Sequence, residues 1–192
     1  MKNIPVYLLI VFFSLFGCRS SKPLAIKSVE IPAAQQANAA HAATEKKFSD
    51  QSTWLLGYFD PAQLTREPYS EWYYTGYDNY QPKPEAMSKL NEITKNGLTI
   101  KVVMGTWCPD SRREVPRFMK ILSLWQFPAQ DILFIGVDNA KLSPVGEYDK
   151  LSIQRVPTFI FYKNKTEAGR IIENPVTSLE QDIVNILTGN RK

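Results

Sequence analysis

The sequence predicts an α/β fold: a central mixed sheet flanked by helices, preceded by an aromatic-rich N-terminal extension. Three observations carry this expectation. Apolar runs of strand length at 98–104 and 132–138 read as buried strands. Stretches of helical periodicity at 84–95, 110–125 and 178–187 alternate with them. Two further strand-like runs, 158–163 and 169–173, flank the turn residues Asn164-Lys165 as a hairpin. Alternating strands and helices require a sheet with helices on both faces, and the final hairpin adds antiparallel strands.

In chain order, Met1-Lys2-Asn3 supplies a short positive start, and residues 4–16 are almost continuously apolar. Thirteen residues at about 1.5 Å each fall short of a ~30 Å hydrocarbon core, so 1–17 reads as an export signal and not as a permanent span. The stretch ends Leu15-Phe16-Gly17-Cys18, which resembles the bacterial lipobox. That resemblance implies lipidation of Cys18 and a protein held by its acyl chains in the bacterial cell envelope. Arg19, not Asp, follows the cysteine, which by the best-known sorting rule implies the outer membrane, facing the periplasm.

Residues 18–51 read as a lipidated tether. The Ala/Gln/Asn stretch at 33–43 holds too few large apolar residues to offset the entropy of ordering. Residues 52–83 form the extension, in which Trp54, Tyr58, Phe59, Tyr69, Trp72, Tyr73, Tyr74, Tyr77 and Tyr80 crowd together; their rings are expected to pack over a core edge. The main domain spans 84–192. Pro84 opens its first helix, with Met87, Leu90, Ile93 and Thr94 on one face, and Asn96-Gly97 stops it. A short helix is expected at 144–152, and Leu179, Ile183, Ile186 and Leu187 give the last helix an inward face.

Composition removes several classes. Of 23 basic and 19 acidic side chains, six and three lie within residues 1–51, leaving 17 and 16 beyond; so balanced a globular part offers nucleic acid no electrostatic footprint. One histidine (His41) and two distant cysteines supply no metal cluster, and nothing in the sequence asks for a cofactor.

Three local features then converge. Trp107-Cys108-Pro109-Asp110-Ser111 stands at the junction of a buried strand and a helix; Pro116 follows inside that helix; and Val156-Pro157-Thr158 opens the next-to-last strand. With the α-β-α-β-α-β-β-α order, and with Gly169 in the last strand, they resemble the thioredoxin fold over about residues 84–190. Trp107-Cys108-Pro109-Asp110-Ser111, the aromatic stretch and the lipobox are most similar to thioredoxin-like lipoproteins of Bacteroidetes-type bacteria. The resemblance implies that Pro157 is cis and faces an active cysteine, Cys108.

Two departures from that family shape the functional reading. A dithiol oxidoreductase needs one sulfur to attack and a second to release the mixed disulfide, and the second place is Ser111. The family's buried acid falls on Val102. Cys108 itself keeps the N-terminal end of a helix, where free amides favour an anion, with Pro109 at the first helical position. Arg112 and Arg113 read as a solvated helix face. Two function classes survive. One is a monothiol thiol-disulfide protein whose partners are protein or low-molecular-weight thiols and disulfides, with an outside thiol resolving. The other is a non-catalytic binding or chaperone-like module using the groove between Trp107 and Pro157.

Overall fold

The structure, a computed structural model, describes residues 42, 45 and 47–190. The expected signal 1–17, the lipidation site Cys18 and His41 lie outside the described residues.

Five strands form one sheet in the order β1-β3-β2-β4-β5: β1 Gly57–Phe59, β2 Leu98–Met104, β3 Ile132–Gly136, β4 Thr158–Lys163 and β5 Thr166–Ile172. β2 is the centre. It runs parallel to β3 and antiparallel to β4, with Val102 opposite Phe134 on one side and Phe159 on the other. A strand covered on both faces has no solvated side, which is why Leu98, Ile100, Val102, Val103 and Met104 are all buried. β4 and β5 turn through Asn164 and Lys165, both left-handed at φ 51° and 68°, the conformation a two-residue hairpin requires. The fold is thioredoxin-like α/β.

Among the described residues, four α-helices with complete bounds accompany the sheet: α1 Ser70–Asn79, α2 Pro84–Glu92, α3 Pro109–Leu124 and α4 Leu179–Leu187. All four contribute to one core cluster, through Tyr73, Leu90, Phe118 and Ile183 among others. Phe118 stacks on Phe159 at 4.2 Å between ring centroids. The opposite cluster, with Val103, Ile135, Val137 and Ile160, draws no residue from these helices; the connection 137–157 covers it with Tyr148, Leu151 and Val156. Helices on both faces were expected, and the structure corrects this. The stretch expected as a helix at 144–152 forms only the 3-10 helix Tyr148–Leu151, bounded by left-handed Glu147 and Ser152, too short to build a second helical layer.

The extension holds more regular structure than its sequence suggests. β1 pairs antiparallel with β3 at the sheet edge, a 3-10 helix spans Pro61–Thr65, and α1 lies against α3. Gly76 makes that approach close: a Cβ there would stand 2.5 Å from Pro116 Cγ. Phe48, assigned by sequence to the tether, is 2% exposed and packs edge-on to Trp72 at 6.3 Å. Packing against the domain therefore begins before residue 52, because an aromatic ring at the end of a polar segment found apolar neighbours.

Candidate active site

Cys108 is placed by a strand end and a helix start. β2 stops at Met104, and Gly105, Thr106 and Trp107 carry the chain to Cys108, the residue that caps α3. Its backbone is extended (φ −82°, ψ 122°), its N–H donates to Gly105 O at 3.0 Å, and its carbonyl accepts from Arg112 N–H at 3.0 Å. The thiol does not cap the helix. It crosses to the opposite loop, where Sγ–H donates to Val156 O at 3.3 Å. The Val156–Pro157 peptide bond is cis. Cys108 is 7% exposed, so little of the residue meets solvent.

Each remaining residue of the motif has a distinct partner. The Trp107 indole N–H donates to Val137 O at 2.9 Å, and its ring closes over Gly105, where a Cβ would meet it at 2.5 Å. Pro109 takes the first helical position, where a missing N–H costs nothing. Asp110 pairs with Arg113 at 2.7 Å. Ser111 is fully buried, and its hydroxyl oxygen accepts from Gly105 N–H at 3.3 Å, so the second motif place ties the loop to the helix. Thr158 is buried and donates to Arg155 O at 2.6 Å, while Pro157 O accepts from Glu173 N–H at 2.7 Å. Thus the structure brings Trp107, Cys108, Val156 and Pro157 together, with Asp110 turned to Arg113. Val102 is buried between Phe134 and Phe159, and no carboxylate stands at that place in the strand.

Arg112 corrects the sequence reading of a solvated helix face. It is 6% exposed; Nη1 donates to Trp107 O at 2.9 Å and Thr106 O at 3.2 Å, Nη2 pairs with Glu45, and the guanidinium stands 4.7 Å over the Phe48 ring. The signal was there: 108, 112, 115 and 122 follow helical spacing on the inward stripe, and a long side chain on that stripe must bury. Arg113 remains partly exposed. Burial alone would lower its pKa, but Glu114 and Asp110 outweigh that and raise it.

Sequence reasoning also missed Thr106. It is 1% exposed, donates Oγ1–H to Thr53 O at 3.0 Å and accepts from Leu55 N–H at 3.3 Å. Trp54 lies 6.3 Å from Trp107 between centroids. Nothing local marks a threonine before a tryptophan as a tertiary anchor. On the thin side of the sheet, Tyr148 donates to Lys141 O at 2.8 Å, and burial with Asp138 and Asp149 nearby pushes its pKa up to about 12. Among the described residues, no group of three or more His, Cys, Asp and Glu could hold a metal ion.

The chain resembles known thioredoxins. It is 33% identical over 85 residues to thioredoxin H5 of Oryza sativa subsp. japonica, covering 43% of this chain and 58% of that protein's length. It is 29% identical over 107 residues to a putative thioredoxin-5 of Dictyostelium discoideum, covering 56% of this chain and 97% of the relative. A crystal structure of a protein of unknown function from Pseudomonas aeruginosa superposes with a TM-score of 0.45 at 14% identity, over 64% of this chain and 82% of the other. No family model matches the chain. With the five-stranded mixed sheet, the two similarities to thioredoxins support a place in the thioredoxin-like superfamily.

Proposed function

We propose that this protein is a thioredoxin-like redox protein of the cell envelope in which Cys108 works as a single thiol and an outside thiol resolves its mixed disulfide. One observation carries the reading: Cys108 faces Val156 and Pro157 from the head of α3 while the motif's second place holds a buried serine. Similarity to thioredoxins supports thiol chemistry; Ser111 supports its monothiol form. In the reaction, deprotonated Sγ attacks one sulfur of a client disulfide. The Cys108–client bond forms as the client's own S–S bond breaks, and the departing sulfur takes a proton from water. An outside thiolate, from a protein or a small thiol, then attacks the client sulfur, forms a new disulfide with it and releases Cys108. The lipobox-like Leu15-Phe16-Gly17-Cys18 supports anchorage through Cys18 on a membrane facing the periplasm. Replacement of Cys18 by Ser should then free the protein from the membrane fraction.

Insulin reduction with dithiothreitol tests the thiol chemistry. Wild type should stay close to Cys108→Ala, since it has one sulfur in the motif. Ser111→Cys should gain activity, because residues three apart on a helix start bring two sulfurs within bonding reach. The gain should be partial, as Val102 offers no carboxylate for the proton. A second reading, a binding module without redox chemistry, is favoured by the burial of Cys108. Equal rates for all three proteins would make it the better one.

A further inference from the structure

The Cys108 loop is held from outside the domain. Thr106 and Arg112, which flank Cys108 at two residues before and four after, both end on the segment 47–55 or on Glu45 ahead of it. The Thr106 hydroxyl makes two hydrogen bonds to the segment's backbone, donating to Thr53 O and accepting from Leu55 N–H. Thr53 O is further fixed by the Tyr69 hydroxyl at 3.0 Å, which makes it a rigid acceptor. Arg112 fastens the carbonyls of Thr106 and Trp107 with one nitrogen and reaches Glu45 with another, its face lying on Phe48. Trp54 in turn donates its indole N–H to Phe48 O at 3.0 Å and stands beside Trp107. A passive linker would not meet the residues on both sides of a thiol with a carbonyl, an amide, a carboxylate and an aromatic ring, as Thr53, Leu55, Glu45 and Phe48 do here.

We propose that this segment is a clasp for Cys108: by holding Thr106 and Arg112 it keeps the thiol turned onto Val156 and shielded, so that access of a disulfide to Sγ depends on whether the clasp is docked. The inference deepens the thiol-disulfide reading given above and rests on it for its biological meaning. Thr106 and Arg112 are positioning residues, acting through the loop and not on the reacting sulfur. The segment also connects the domain to whatever precedes it, so a pull or a partner acting there would be felt at the thiol.

The test is the rate at which iodoacetamide modifies Cys108 in the full chain, followed by mass spectrometry of the Cys108 peptide so that Cys18 does not contribute. Thr106→Val keeps the shape but strands Leu55 N–H and unties Thr53; it should speed modification by about tenfold, as expected when a local opening becomes cheaper by the worth of a buried hydrogen bond. Thr106→Ser restores the hydroxyl and should return the rate to within roughly twofold of wild type. Ile183→Val, in α4 and in a different core cluster from Cys108, lowers global stability and should leave the rate unchanged. Should Thr106→Val fail to fold, Glu45→Gln, at a half-exposed position, should raise the rate by about twofold. The clasp is overturned if the variant that folds reacts as wild type does, or if Ile183→Val accelerates the reaction as much. Failure of the redox reading would show separately, as no mixed disulfide with a client at an unchanged pattern of alkylation rates.

Discussion

The two faces of the sheet are built differently, and Cys108 belongs to the weaker one. On one face, α1 to α4 lock aromatic and aliphatic side chains against β2, β3 and β4, with Phe118 stacked on Phe159 at 4.2 Å between centroids. On the other, the connection 137–157 lays Tyr148, Leu151 and Val156 over Val103, Ile135 and Ile160, and Cys108 is part of that cluster. Its only regular element is a single 3-10 turn, and Tyr58, Leu133 and Leu142 remain exposed. Few repeating hydrogen bonds and a thin cover make local opening cheap. Stability is concentrated on the helical face, while the thiol sits where the structure can yield.

The largest effect should come from breaking the strong face. Phe118→Ala removes a fully buried ring packed against Phe159 and Phe161 of β4 and should cost about 3–5 kcal/mol in urea unfolding. Leu151→Ala, on the thin face, should fall at or below about 2 kcal/mol, because an irregular cover can collapse into the space. Equal losses would erase the distinction between the faces. Gly76→Ala should be next, at about 1–3 kcal/mol, since the added methyl meets Pro116 and forces α1 away from α3. A neutral result would show that this helix pair has slack.

How much of this was legible follows from where the information lies. β2, α3 and the hairpin around Asn164 carry their own periodicity and turn residues, so their sequence expectations fall within a few residues of the observed limits. α1 does not: Trp72, Tyr73, Tyr74, Thr75 and Gly76 are mediocre or poor helix formers, and the helix exists because it packs on α3. One-sided helical layering could not be read either, since periodicity gives a helix an inward face but not a side of the sheet. At the site, the Trp107-Cys108-Pro109 motif and Pro157 were visible as local words. The bonds of Thr106 to Thr53 and Leu55, and that of Glu45 to Arg112, join residues 51 to 67 apart in the chain and leave no local trace.

The smallest effect we expect concerns the strong face and acid. Glu180 is buried at the junction of α1, α2 and α4, where the Tyr80 hydroxyl donates to one oxygen at 2.6 Å and Lys83 N–H to the other at 3.1 Å. Burial pushes its pKa up, but the hydrogen bonds from Tyr80, from its own amide and from Lys83 outweigh that and hold it below the ordinary 4.5. A carboxyl whose folded pKa lies below its unfolded one contributes stability above the unfolded value and loses it as pH falls through the folded one. Glu180→Gln cannot lose what it lacks. The stability gap between wild type and Glu180→Gln should therefore be widest near about pH 7 and close progressively below about pH 4.5. Tyr80→Phe removes the strongest of the bonds that favour the carboxylate, so its own gap to wild type should shrink over the same acid range. A gap that holds constant from neutral pH into acid would show that the charge on Glu180 does not matter to the helical face.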